Sequence, residues 1–188
     1  KKNFSVEVDG YIAVNFDLMR KLVDELGGVY IDVLPEEHKS LNAIMEYYNR
    51  VNKRNKYEEH LKKPGYQKLT GLQAMSYARI RKLDSDFERV GRQQRVMSAI
   101  FRELQTKKLD EILRIISKYI DKVKTDISYS DAIELASMLI QKQDIDIKLL
   151  RIPVKGSSSA REINKTYFIV PNYKKNIEAI KNFFNNVE

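Results

Sequence analysis

The 188-residue sequence predicts an α/β fold, and three observations carry that prediction. A strand-like run, a helical run and a second strand-like run meet around Gly27-Gly28, in the order of a βαβ unit. Apolar residues recur at helical spacing through the long middle of the chain. Two further strand-like runs and an amphipathic helix close it.

Taken in order, "YIAVNF" (Tyr11 to Phe16) is the first β-like run. Asp17 is placed to cap the helix "LMRKLVDEL", whose Leu18, Met19, Leu22, Val23 and Leu26 share one face. Gly27-Gly28 ends it, since glycine accepts the left-handed backbone of a C-terminal cap. Val29 to Val33 alternates as a strand. The polar stretch from Pro35 to Lys68 holds one helix near Leu41 to Val51, with Tyr47-Tyr48 read as covering core in preference to lining a groove, and Pro64-Gly65 marks a turn. Thr70 caps the short helix "GLQAMSYARI". Helices follow over Glu88 to Thr106 and Leu109 to Lys122, and a third is capped by Ser130. Asp146 to Val154 and Thr166 to Pro171 read as strands, Gly156 to Ser159 as a loop, and Tyr173 to Val187 as a closing helix. No linker divides the chain, which reads as a single domain over 1–188.

Composition excludes several chemistries. There is no cysteine, so no disulfide, thiolate zinc site or cysteine nucleophile. Two isolated histidines, His38 and His60, argue against a histidine-rich metal site or a Ser-His-Asp triad. No apolar run approaches the roughly 20 residues of a membrane span, and no signal peptide is visible. The net charge of +8 favours polyanionic partners.

That charge is unevenly spent. Six of the 12 arginines lie between Arg79 and Arg102, with Lys82 the only lysine among them. Arginine offers a planar, permanently charged fork that grips phosphate or carboxylate at two points. On a helix from Glu88, with Arg89 at 0° and about 100° per residue, Gln93 falls at about 40°, Val96 at about 340°, Ile100 at about 20° and Arg92 at about 300°. Arg89 and Gln93 thus read as core-side, Arg92 as marginal, and Arg95 and Arg102 as solvent-facing. The start of the helix adds free N–H groups and a positive dipole end. Arg79 and Arg81, two apart in an extended segment, can face one way. Three readings stay open: a structural network with Asp84, Asp86 and Glu88, an anion site, or a nucleic-acid surface. Asp86 fits either a helix cap or an arginine-orienting role.

The stretch "YARIRKLDSDFERVGRQQR", with the upstream "LKKPGYQKLTGLQAMSYARIR" and "YIAVNFDLMRKLVDELGGVYIDV", resembles the signature of the LytR-CpsA-Psr family over about Phe4 to Leu104. The resemblance implies a mixed central β-sheet flanked by helices. It implies a phosphotransferase that moves anionic glycopolymers, wall teichoic acid or capsular polysaccharide, from polyprenyl pyrophosphate carriers to a peptidoglycan acceptor. Mg²⁺ would sit beside the pyrophosphate and a lipid tail in an apolar groove. Motif for motif, the catalytic, pyrophosphate-contacting arginines fall on Arg79, Arg81 and Arg89, and the glutamine on Gln93. Arg92 joins the pyrophosphate contacts and Asp86 orients or caps. The implied setting is the outer face of the cytoplasmic membrane of a Gram-positive bacterium, held there by an N-terminal transmembrane helix.

The chain departs from the family pattern upstream. The family's Ser-Asp-Thr-like, Arg-Asp-Thr and Lys-Ile-Asn-x-Ala motifs, which supply its Mg²⁺-binding aspartates, are absent, and the loop from Arg81 to Asp86 is short. The expectation is therefore a domain lacking its N-terminal portion, with the metal ligands outside this chain. Two alternatives are a catalytically inactive lipid-pyrophosphate-binding fragment and a nucleic-acid-binding regulator, which many family members are labelled. Nucleic acid is not the expected partner, because no helix-turn-helix pair stands out and Arg89 and Gln93 lie off an exposed face.

Overall fold

A computed structural model describes residues 3–81, 83–141 and 148–185. Two compact units emerge: one from Tyr11–Ile147, the other from Lys1–Gly10 with Lys148–Glu188.

In the larger unit, strand β1 (Ile12–Ala13) leads to helix α1 (Phe16–Glu25). Its cap is Asn15, whose side chain accepts from Leu18 N at 2.8 Å, two residues before the Asp17 expected for that role. Asp17 lies in the first turn and pairs with Arg20 and Lys21 instead. Gly27 N donates to Asp24 O and Gly28 N to Val23 O, with both glycines at positive φ, so the Gly-Gly stop works as the sequence implies.

Strand β2 (Val29–Val33) alternates buried and exposed residues. Such one-sided burial suits an antiparallel ladder with a wet face better than a parallel strand buried on both sides. The pairing follows suit. β2 runs antiparallel to β3 (Gly65–Leu69), while β1 pairs with a later two-residue strand, so β1 and β2 are not a parallel βαβ pair. Between β2 and β3 lies α2 (Pro35–Val51), six residues longer at its start than expected. Pro35 presets the first helical φ and Glu37 accepts from Leu34 N at 3.1 Å. On this helix Tyr48 packs against the core, whereas Tyr47 is exposed.

Helix α3 (Gly71–Ala78) is buried at every residue, its polar Gln73 and Ser76 included, so the core encloses it on all sides. Thr70 and Gln73 close its start as a capping box. Gly71 lies so close to α1 that an added Cβ would meet Arg20 O at 2.1 Å, and its N–H donates to Asp24. Then come α4 (Asp86–Gln105), α5 (Leu109–Tyr119) with a 3₁₀ turn at Ile120–Lys122, β4 (Lys124–Thr125), which partners β1, and α6 (Tyr129–Gln141). The α6 cap is Ser128, which accepts from Asp131 N, rather than the expected Ser130.

The second unit pairs β5 (Ser158–Ile163) with β6 (Thr166–Pro171) and ends in α7 (Tyr173–Asn185). The sequence read Gly156 to Ser159, which includes the start of β5, as a loop because those serines carry no apolar alternation. Conversely, the strand expected over Asp146 to Val154 does not form in its described part, 148–154. There Pro153 has no N–H to give a ladder, and Val154 N donates to the Asn176 side chain. Asp146 and the end of the closing helix beyond Asn185 lie outside the described residues. The α/β class holds, with the described strands in three antiparallel pairs. Among the described residues no helix is long and apolar enough to cross a membrane.

Candidate anion site at the α3–α4 junction

The site begins where the buried helix ends. Tyr77 and Ala78 close α3 in the core, Arg79 is exposed, Ile80 is 1% exposed and Arg81 is exposed again. Burying Ile80 stabilises the segment by about 1.5–3 kcal/mol and fixes the alternation, so its two arginine neighbours project outward as their spacing implies. The Arg79 guanidinium lies 5.6 Å from the Phe16 ring centroid, and among the described residues no carboxylate comes within ion-pair range of it.

After the loop, Ser85 caps α4 by accepting from Glu88 N at 3.3 Å, so Asp86 is not the cap. Asp86 instead orients arginines. Its Oδ1 lies 3.0 Å from Arg89 Nη1 and 3.6 Å from Arg81 Nε. Arg81 is 70% exposed and Arg89 28%, which leaves both forks room for a further anion. Gln93 is half-buried and its Nε2 lies 3.5 Å from Ala78 O, tying α4 to the end of α3. The helix dipole contributes less than its position suggests. Asp86 and Glu88 already set negative charge in the first turn, so the side chains, not the helix end, make the surface cationic.

Arg92 is a different case. It was expected among the pyrophosphate contacts, but it is 1% exposed. Its Nη1 and Nη2 meet the two Asp84 oxygens at 2.7 and 2.6 Å, and Nη2 also donates to Ile80 O at 3.1 Å. Glu37, 2% exposed and contributed by α2, stands 3.4 Å from Nη1. The helical-wheel reading misplaced the buried face because it left out Ala99. The buried residues of α4 are Arg92, Val96, Ala99 and Ile100. With Ala99 at about 280° on that wheel, the buried arc runs from about 280° to about 20° and takes in Arg92; Gln93 falls just past its edge, and Arg89, inside the arc by angle, stands in the first turn, ahead of the first buried residue.

Around Glu37 the interior closes into a cluster. The Tyr77 hydroxyl lies 3.4 Å from Glu37 Oε1, and Arg95, 42% exposed, reaches the same oxygen at 3.5 Å while covering the Tyr77 ring. Burial first, and the Glu37 carboxylate second, push the Tyr77 phenol pKa up. The hydrogen bonds from Arg92 hold Asp84 below its ordinary carboxylate range, and Asp84 in turn raises Arg92. Sequence reasoning offered Asp84 to Arg79, Arg81 or Arg89 and had no signal for Glu37, which meets Arg92 across 55 residues of chain.

Mg²⁺ does not fit the residues described. No group of three or more His, Cys, Asp or Glu among them is placed to hold a metal ion. Both Asp84 oxygens serve Arg92, and Asp86 faces two arginines.

With this geometry in place, the chain was compared with known proteins. The LytR_cpsA_psr family model matches residues 1–185. An uncharacterized protein of Staphylococcus aureus is 31% identical over 185 residues, covering 96% of this chain and 40% of that protein. The polyisoprenyl-teichoic acid–peptidoglycan teichoic acid transferase TagV of Bacillus subtilis is 28% identical over 184 residues, covering 96% and 44%. The chain thus spans less than half the length of both relatives. TagT of B. subtilis superposes with a TM-score of 0.67 at 24% identity over 98% of this chain and 63% of that one. TagT bound to LIIa-WTA gives 0.69, with the same identity and coverage. At that identity the superposition establishes the fold alone.

Proposed function

Because this chain belongs to the LytR-CpsA-Psr family, we propose that its Arg79–Arg81–Arg89 face binds the diphosphate of a polyprenyl-linked glycopolymer, and that the protein transfers the polymer to peptidoglycan. The observation that carries this reading is the division of the arginines. Arg92 is consumed by internal carboxylates, whereas among the described residues Arg81 and Arg89 share the one surface carboxylate Asp86 and no carboxylate reaches Arg79. A structural network would have neutralised them.

The reaction is phosphoryl transfer. A peptidoglycan hydroxyl attacks the polymer-side phosphorus and gives its proton to a base. A P–O bond forms to the acceptor as the bridging P–O bond breaks, and polyprenyl phosphate leaves with the electron pair. Charge accumulates on both phosphates, and preorganised guanidiniums stabilise it in place. Arg79, Arg81 and Arg89 are assigned that work, with Gln93 holding the α3–α4 junction and Asp86 aiming two of the forks. No step is assigned to Mg²⁺, for which the described residues offer no ligand set. Teichoic acid is favoured over capsular polysaccharide as the cargo because the relative TagV is a teichoic acid transferase. A polyprenyl carrier and a peptidoglycan acceptor place the action at the outer face of the cytoplasmic membrane.

The test is calorimetric titration of the chain with farnesyl diphosphate, alongside Arg89→Ala and a DNA duplex at two salt concentrations. Loss of charge-assisted hydrogen bonds worth about 1.5–3 kcal/mol predicts a roughly 10- to 150-fold weaker diphosphate affinity in Arg89→Ala. Duplex binding that exceeds diphosphate binding and collapses steeply with salt would move the assignment to a nucleic-acid regulator.

A further inference from the structure

The geometry points to Arg92 and Asp84 as a positioning pair that presets the diphosphate-binding loop from inside, a role that rests on the reading of Arg79, Arg81 and Arg89 as diphosphate ligands. Neither residue touches the ligand.

Arg92 holds two points of the segment that follows Arg79, carries Arg81 and leads to Asp86 and Arg89. Through Nη2 it holds the carbonyl of Ile80, the residue between Arg79 and Arg81. Through both terminal nitrogens it holds the carboxylate of Asp84, two residues before Asp86. The loop is thus pinned at the point where Arg79 and Arg81 diverge and again where Asp86 begins to aim Arg81 and Arg89. The anchor is itself immobile. Arg92 is 1% exposed, it lies in the buried stripe of α4, and Glu37 from α2 stands at its back. A bidentate arginine–carboxylate pair fixes orientation as well as distance, and Asp84 is only 30% exposed, so solvent competes weakly for it. A ligand meeting a pinned loop does not have to immobilise the loop arginines itself, and that saving appears as affinity.

Asp84 gives a test in which positioning and simple charge predict opposite signs. Asp84→Asn removes a negative charge beside a cationic surface, so Coulomb attraction alone would tighten diphosphate binding. If the pair presets the loop, the same change weakens it, by about three- to tenfold, the cost of ordering one long side chain on binding. The measurement is titration of the full chain with farnesyl diphosphate for the parent, Asp84→Asn, Asp84→Glu and Arg89→Ala, with thermal melting to confirm that each is folded. The expected result is weaker binding by Asp84→Asn, partial recovery in Asp84→Glu, which keeps a carboxylate for Arg92, and the largest loss in Arg89→Ala. Unchanged or tighter binding by Asp84→Asn, with Arg89→Ala still weakened, overturns the positioning role and leaves the diphosphate site standing. Unchanged binding in both variants overturns the site and the positioning role together.

Discussion

Arg89 and Arg92 stand three residues apart on one helix, and they have opposite fates. Arg89 is 28% exposed and shares a single oxygen of Asp86 with Arg81. Arg92 is 1% exposed and is gripped by both oxygens of Asp84, by the Ile80 carbonyl and by Glu37. By angle both fall within the buried arc of α4, at about 0° and about 300°; the difference lies along the axis, since Arg89 is in the first turn and Arg92, three residues on, is where the buried stripe begins. An arginine inside the stripe must bring carboxylates with it, because an uncompensated buried charge costs too much. An arginine in the first turn, ahead of that stripe, can leave part of its fork for a ligand. One helix start therefore supplies both a binding group and the strut behind it.

The sharpest way to break this contrast is to remove the inner arginine. Arg92→Leu leaves the buried Glu37 with the Leu34 N–H on Oε2 at 3.1 Å and, on Oε1, only the long contacts to Arg95 at 3.5 Å and the Tyr77 hydroxyl at 3.4 Å. Breaking a buried pair by deleting one partner costs about 3–5 kcal/mol, and the remaining Arg95 contact places the expectation near the low end. Urea unfolding should show this as a lowered midpoint, and adding Glu37→Gln to Arg92→Leu should return part of the loss. Arg89→Ala, by contrast, should stay within about 0.5 kcal/mol of the parent, as surface substitutions do. Equal losses from the two would mean that the inner and outer arginines are not distinct.

The two regions also differ in how far the sequence discloses them. The outer site is local. Arg79, Arg81, Asp86, Arg89 and Gln93 lie within 15 residues, and period-two and period-3.6 arithmetic suffices to bring them to one junction. The inner cluster is not local, since Glu37 reaches Arg92 from 55 residues away and nothing in "LPEEHKS" distinguishes its carboxylate from a helix-start glutamate. The same rule governs the fold. The Gly27-Gly28 stop and the Thr70 cap depend on neighbours in sequence and were legible. The partner of β2 depends on strand pairing across the chain, and β5, rich in serine, offers no apolar alternation to read.

Tyr77 tests the cluster more gently. Tyr77→Phe keeps the ring under Arg95 and removes only the hydroxyl at 3.4 Å from Glu37. A hydrogen bond that long is weak, so the expected loss is about 1 kcal/mol or less, visible as a small drop in melting temperature with diphosphate affinity unchanged. A loss as large as that of Arg92→Leu would move the centre of the cluster from the Asp84–Arg92 pair to the Tyr77–Glu37 contact.

The smallest effect, and the one that separates Asp84 from the surface carboxylates, is its pH dependence. Asp84 is held below its ordinary value of 3.8, chiefly by hydrogen bonds from Arg92. A carboxyl with a depressed folded-state pKa binds its proton more readily when unfolded. Its stabilisation is therefore complete above the unfolded value and is lost as pH falls through the folded one. The parent should thus be more stable than Asp84→Asn at pH 5 to 7, and the gap between their melting temperatures should close progressively as pH drops below about 4. Asp86→Asn, by comparison, should cost little stability at neutral pH, because Asp86 is 51% exposed and exposed ion pairs contribute little. A gap for Asp84 that is flat across this range would mean that its carboxylate is not what Arg92 is holding.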